Sequence, residues 1–167
     1  MRKNALATVY QPSDCQDTET GWYRHWYFTA CLSDAIFNAR RNGHEVTLIY
    51  LRLPLSAWKV ASRLRLYLTI RLGLLEREVS QGAAIFGRVS EDEFAICIEN
   101  TDEFDAATTV MLIQHTLAGL SAKTGTAVFP RDAEDRNSLV AAARTSFTGV
   151  PSNLVYMDAY RERRGAA

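Results

Sequence analysis

The densest run of chemistry-bearing side chains is Arg88-Val89-Ser90-Glu91-Asp92-Glu93-Phe94, with three adjacent carboxylates, a hydroxyl and a cation. Neighbouring carboxylates are hard oxygen donors, suited to a divalent cation or to a nucleotide held through one. The bland reading is that Asp92 and Glu93 are solvated charges on a hairpin. His25, His44 and His115 lie far apart, without metal-ligand spacing. Cys15, Cys31 and Cys97 are odd in number and form no C-x-x-C pair, which argues against a disulfide framework or a thiolate zinc site. Cys31 and Cys97 sit in apolar runs and read as small core residues. Lys59, Arg63, Arg65, Arg71 and Arg77 offer a basic helix face, but Glu76 and Glu78 interrupt it, so a solvated face is expected rather than a nucleic-acid site. Five aromatics in the seven residues 22–28 exceed what one helical stripe can bury. Trp22, Tyr23, Trp26 and Tyr27 are therefore a candidate protein interface beside their core reading.

The elements that position these groups follow from period and punctuation. Residues 1–20 are polar and read as a lead-in or linker, ending in a turn at Thr20-Gly21. Apolar residues at helical spacing predict a helix over 22–41, stopped by Asn42-Gly43. The nearly continuous apolar run 45–53 predicts a strand buried on both faces, ended by Pro54. Ser56 can cap a helix over 57–79, with Leu64, Leu68, Leu72 and Leu75 as its stripe; Gln81-Gly82 breaks it. Runs 84–89 and 93–99 are strands joined by the hairpin Ser90-Glu91-Asp92. A helix over 104–122, capped by Thr101 or Asp102, a strand over 125–129 closed by Pro130, a helix over 138–147 and an edge strand over 154–157 complete the order. The pattern α-β-α-β-β-α-β-α-β predicts an α/β (α+β) domain with a ferredoxin-like mixed sheet flanked by helices, over 21–160, with a tail at 161–167.

The bulk numbers agree with this. The chain has 167 residues, 47% hydrophobic and 23% charged, as expected for one globular domain. Lys plus Arg equals Asp plus Glu at 19 each, so no global charge draws the chain to nucleic acid or an anionic membrane. No signal-peptide or membrane-spanning run is present, and the expected location is the cytoplasm.

Arg88 to Ile96 resembles R-[YL]-G-G-[DE]-E-F-A-[IV], the signature of GGDEF (diguanylate cyclase) domains, with Ser90 and Glu91 in place of the two glycines. Asp17-Thr18-Glu19-Thr20-Gly21-Trp22 resembles the family's entry motif D-x-L-T-G-L. Ala39-Arg40-Arg41-Asn42-Gly43-His44, followed by strand 45–53, is similar to its first helix-to-strand passage. Thr124 to Pro130 resembles S-x-G-x-A-x-[YF]-P, with Thr126 for a usual glycine. Together these cover roughly residues 17–150. The resemblance implies a nucleotidyl-cyclase-like, GGDEF-type sheet.

In that family, two domains bring two GTP molecules together, and two metal ions sit on an aspartate ending the first strand and on the third signature residue. The resemblance puts Arg52 at the aspartate and Pro54 where a second often stands. Asp92 matches the other metal position, and Glu93 follows it. Arginine has no acceptor and a permanent charge, so it repels Mg²⁺; an Arg52–Asp92 ion pair in place of metal is one expectation. Ser90 and Glu91 crowd a turn that glycines keep open to nucleotide. The helix after Pro54 lacks the guanine-reading Asn and Asp, and 148–154 lacks the phosphate-binding Lys and Arg. The inhibitory product site needs R-x-x-D, and the chain has Gln81-Gly82-Ala83-Ala84. The resemblance therefore implies a degenerate, catalytically inactive GGDEF domain: a regulatory or protein-interaction module in bacterial cyclic di-GMP-related signalling. Arg52, Ser90, Glu91, Asp92, Glu93 and Phe94 would be the remnant of its active site. No catalytic residue, resident metal or cofactor is expected. A protein partner is expected, with a homodimer as one form of it; nucleotide, nucleic acid and membrane insertion are not. The alternative is residual GTP binding with Mg²⁺, or weak cyclase activity.

Overall fold

The seven residues Val46–Arg52 form the central strand, β2, and six of them are buried because both faces of the sheet are covered. The computed structural model describes residues 12–54, 73, 84–101, 103–117 and 121–149. Apart from Gly73, the expected helix 57–79 lies outside them, as do Gln81, the edge strand 154–157, the tail 161–167 and most of the lead-in. In chain order, the described elements are α1 (Pro12–Cys15), β1 (Tyr23–Arg24), α2 (His25–Asn42), β2, β3 (Ala84–Arg88), β4 (Glu93–Glu99), α3 (Glu103–Thr116), β5 (Lys123–Phe129), α4 (Arg136–Thr145) and β6 (Thr148–Gly149).

The sheet has the order β1-β3-β4-β2-β5-β6. β1 runs parallel to β3, and the other neighbours are antiparallel. It is the mixed, helix-flanked sheet that the sequence predicts. One side, under α3, buries Ile49, Leu51, Phe94 and Ile96 with Trp22, Ile113 and Leu117. The other buries Leu48, Tyr50, Ala95 and Cys97 under Phe28 and Leu32 of α2 and Leu139 and Ala143 of α4. The alternation of β2 thus feeds two cores, one on each side of the pleat. No helix among the described residues is long and apolar enough to cross a membrane.

Several boundaries differ from expectation. Trp22 and Tyr23 precede the helix: Tyr23 and Arg24 pair with Gly87 and Arg88, so α2 starts at His25. A two-residue strand has no period to read, and its partner lies more than sixty residues away. α2 ends as predicted, with Gly43 at φ 72° and its N–H on the Ala39 carbonyl. α3 ends at Thr116, and β5 begins at Lys123 rather than 125, because Lys123 and Thr124 pair with the short edge strand β6. α4 begins at Arg136 because Asp135 and Ser138 form a reciprocal capping box. Gly87 is needed for packing: a Cβ there would lie 2.3 Å from the Phe28 ring.

Candidate functional site: a carboxylate between two guanidiniums

Arg52 and Glu93 face each other across the β2–β4 ladder. Arg52 Nη2 donates to Glu93 Oε1 at 2.6 Å, and Arg52 Nε lies 3.7 Å from Asp92 Oδ2. The guanidinium therefore touches both carboxylates, and Glu93 is the nearer. From the other side, Arg144 Nη2 in the last turn of α4 donates to Glu93 Oε2. The Glu93 side chain is 6% exposed, while those of Arg52 and Arg144 are about half exposed, at 50% and 45%. The two cations also cover rings: Arg52 lies 5.6 Å from the Phe147 centroid and Arg144 5.1 Å from that of Tyr50. Burial works against the Arg144 charge, but the Glu93 hydrogen bond together with the electrostatic pull of Tyr50 and Glu93 outweighs it and raises its pKa.

The hairpin is built around Ser90. Its hydroxyl donates to Asp92 Oδ1 at 3.0 Å and accepts from the Glu93 amide at 3.2 Å. The Val89 and Ser90 amides both reach the Glu93 carbonyl, at 2.8 and 3.1 Å. A side chain where the resemblance expects glycine thus closes the turn locally. Glu91 is exposed at the tip. Phe94 is fully buried, edge-on to Trp22 at 5.6 Å, and serves the core.

Behind the hairpin, Arg88 Nη1 bonds both oxygens of Asp17, at 3.1 and 3.0 Å, and Glu19 Oε2 at 2.7 Å. Burial pushes the Asp17 carboxyl up, but the Thr20 amide and hydroxyl and the Arg88 charge outweigh it and hold it below its ordinary value. The entry motif is thereby fastened to the signature strand.

The aromatic run divides. Trp22 is buried against Phe86 and Phe94, and Tyr27 packs with Cys15 and Cys31. Both belong to the interior and give a partner nothing to touch. Tyr23 is half-buried, and Trp26, 44% exposed, carries most of the surface that the run offers. Ala84 is half-buried in β3 opposite Ile98. Cys31 is buried with its thiol pushed up to about 11, as suits a core residue.

Sequence reasoning missed Arg144, Tyr50 and Phe147. Arg144 follows Val140 at helical spacing, which marks it as sheet-side; that it meets Glu93 depends on where α4 docks. The donor set fits a cation poorly. Mg²⁺ takes oxygen ligands in a near-octahedral shell, whereas both Glu93 oxygens already accept from guanidinium groups. Among the described residues, no three of His, Cys, Asp and Glu gather closely enough to hold a metal ion.

A mixed α+β sheet with an acidic hairpin joining β3 to β4, tied to a turn-forming entry segment, defines the class. That class is the GGDEF-type domain, whose fold this chain has. The GGDEF domain of DgcB from Caulobacter crescentus, in complex with c-di-GMP, is similar at TM-score 0.69 and 15% identity, over 87% of this chain and 89% of that one. A sensory box/GGDEF family protein from the same organism gives 0.68 and 19%, over 79% and 94%. Diguanylate cyclase SiaD from Pseudomonas aeruginosa, in complex with its activator SiaC, gives 0.71 and 16%, over 94% of this chain and 62% of SiaD. At these identities the likeness is one of fold. No protein-family model matches the sequence, and no curated protein matches it.

Proposed function

We propose that this chain is a GGDEF-type domain that makes no cyclic di-GMP and works as a regulatory or protein-interaction module in bacterial cyclic di-GMP-related signalling, in the cytoplasm. The observation that carries the reading is the closure of Glu93 between Arg52 and Arg144. Two-metal phosphoryl transfer needs carboxylates free to hold Mg²⁺ against phosphate. Here Glu93, the carboxylate next to the Asp92 metal position, is neutralised by two permanent cations, and one of them, Arg52, stands where the resemblance puts the other metal-binding aspartate and lies 3.7 Å from Asp92. The kept scaffold leaves its surfaces as the working part. The SiaD–SiaC complex supports a protein partner, since a protein that contains a domain of this fold is there in complex with its activator.

The test is incubation of the purified chain with GTP and Mg²⁺, read by chromatography for cyclic di-GMP and by thermal melting. The expected outcome is no product and no GTP-dependent rise in melting temperature. Steady product formation would overturn the reading; stabilisation by GTP without product would replace it with nucleotide sensing.

A further inference from the structure

A cleft of about 410 Å³ opens between α2 and α4 on the Tyr50 side of the sheet. Arg136 at the start of α4 donates to Ser33 in the middle of α2, and His25 of α2 and Arg144 of α4 also line the cleft. Tyr50, Phe28 and Leu32 make an apolar floor and wall, each almost fully buried. Val140 lines the α4 side, half-buried.

The polar lining is one-sided in charge. Arg136 and Arg144 both line the cleft, and no Asp or Glu does among the described residues. Arg144 has its counter-ion in Glu93. The described partners of Arg136 are all neutral: Nη1 donates to Ser33 Oγ at 3.1 Å, and Nη2 and Nε to Asn137 Oδ1 at 3.2 and 3.4 Å. It is half-buried. A partly desolvated guanidinium without a carboxylate is an anion receptor in waiting, since its fork matches carboxylate or phosphate oxygens. Thr29 and Asn137 add neutral hydrogen-bonding groups at the rim. A mostly apolar concavity with a few convergent polar groups is the usual form of a small-molecule site, and its volume falls in the usual range of about 300–1,000 Å³.

We propose that the cleft between α2 and α4 binds a small organic anion, its charged head on Arg136 and its apolar body against Leu32, Tyr50 and Val140. The site is centred on Arg136, away from the Arg52–Glu93 pair, and shares with the hairpin site Arg144 as a wall and Val89 and Ser90 as lining. It stands or falls independently of cyclase activity.

The test is a ¹H–¹⁵N NMR titration of the full chain with phenyl phosphate and with benzoate. Inorganic phosphate, a head without a body, and benzyl alcohol, a body without a charge, are the controls. At least one of the aromatic anions is expected to give saturable shifts concentrated in residues 28–32 and 136–144, with each control at least tenfold weaker. Arg136→Gln is expected to weaken binding at least tenfold, and Val140→Phe, which narrows the cleft, to abolish it, both with native-like spectra. Arg131→Gln, an exposed cation beside Asp132 and outside the cleft, should bind as the parent does. Absence of saturable shifts, binding by either control as tight as by the aromatic anions, or undiminished binding in Arg136→Gln would each overturn the proposal.

Discussion

Arg52 and Glu93 occupy the same rung of the β2–β4 ladder and close it with a 2.6 Å ion pair at the mouth of the hairpin. Glu93 is buried and accepts from Arg144 as well, whereas Asp92 stands 3.7 Å from the Arg52 Nε. The buried member of a charge cluster bears most of its energetics, because losing it strands its partners. Glu93→Gln should therefore destabilise the chain by about 1–3 kcal/mol, and Asp92→Asn by under about 0.5 kcal/mol. Urea denaturation of the two variants measures both; equal effects would mean that the cluster does not centre on Glu93.

Arg52→Ala leaves Glu93 with Arg144 as its remaining guanidinium. Arg52 is half exposed, so the expected cost is modest, about 0.5–1.5 kcal/mol. Because Arg144 and Arg52 share one acceptor, the double variant Arg52→Ala/Arg144→Ala should cost more than the sum of the singles. A double-mutant cycle by chemical denaturation reads this directly, and simple additivity would count against a shared site.

The Asp17–Arg88 contact carries a pH signature. The Asp17 carboxyl is held below its ordinary value, so its contribution to stability is fully present above the unfolded value near 3.9 and is lost as pH falls through the lower folded-state value. Asp17→Asn should be less stable than the parent at neutral pH, and the gap should close below about pH 4. Melting temperatures of parent and variant across pH 3–7 test the sign; a gap that widens on acidification would contradict it.

Packing at Gly87 predicts a steric outcome. A methyl there meets Phe28 at 2.3 Å, so Gly87→Ala should cost about 1–3 kcal/mol by overpacking. Adding Phe28→Leu should recover part of that loss, which a thermal melt of the double variant would show.

The two tryptophans should part company. Trp22, 1% exposed and packed against Phe86 and edge-on to Phe94, should lose about 3–5 kcal/mol on truncation to Ala; Trp26, 44% exposed, should lose under about 1 kcal/mol. Iodide quenching of the indole fluorescence gives an independent reading, strong for Trp26 and weak for Trp22.

The sequence by itself determined what depends on neighbours along the chain. The run 46–52 had to be a strand covered on both sides, Asn42-Gly43 had to stop a helix, and the polar residues 90–92 had to turn the chain between two apolar runs. Periodicity and turn chemistry act over a few residues, so they survive in a linear reading, and with the motif spacing they led to the GGDEF-type fold. Only the tertiary structure decided which charges meet. Arg144 is fifty-one residues from Glu93 and reaches it because α4 docks over β2 and β5. Tyr23 and Arg24 become a strand because β3 offers them an edge, Trp22 turns inward into the core under α3, and Tyr27 packs inward against Cys15 and Cys31. Those outcomes depend on sheet order and helix docking, which no window of the sequence contains.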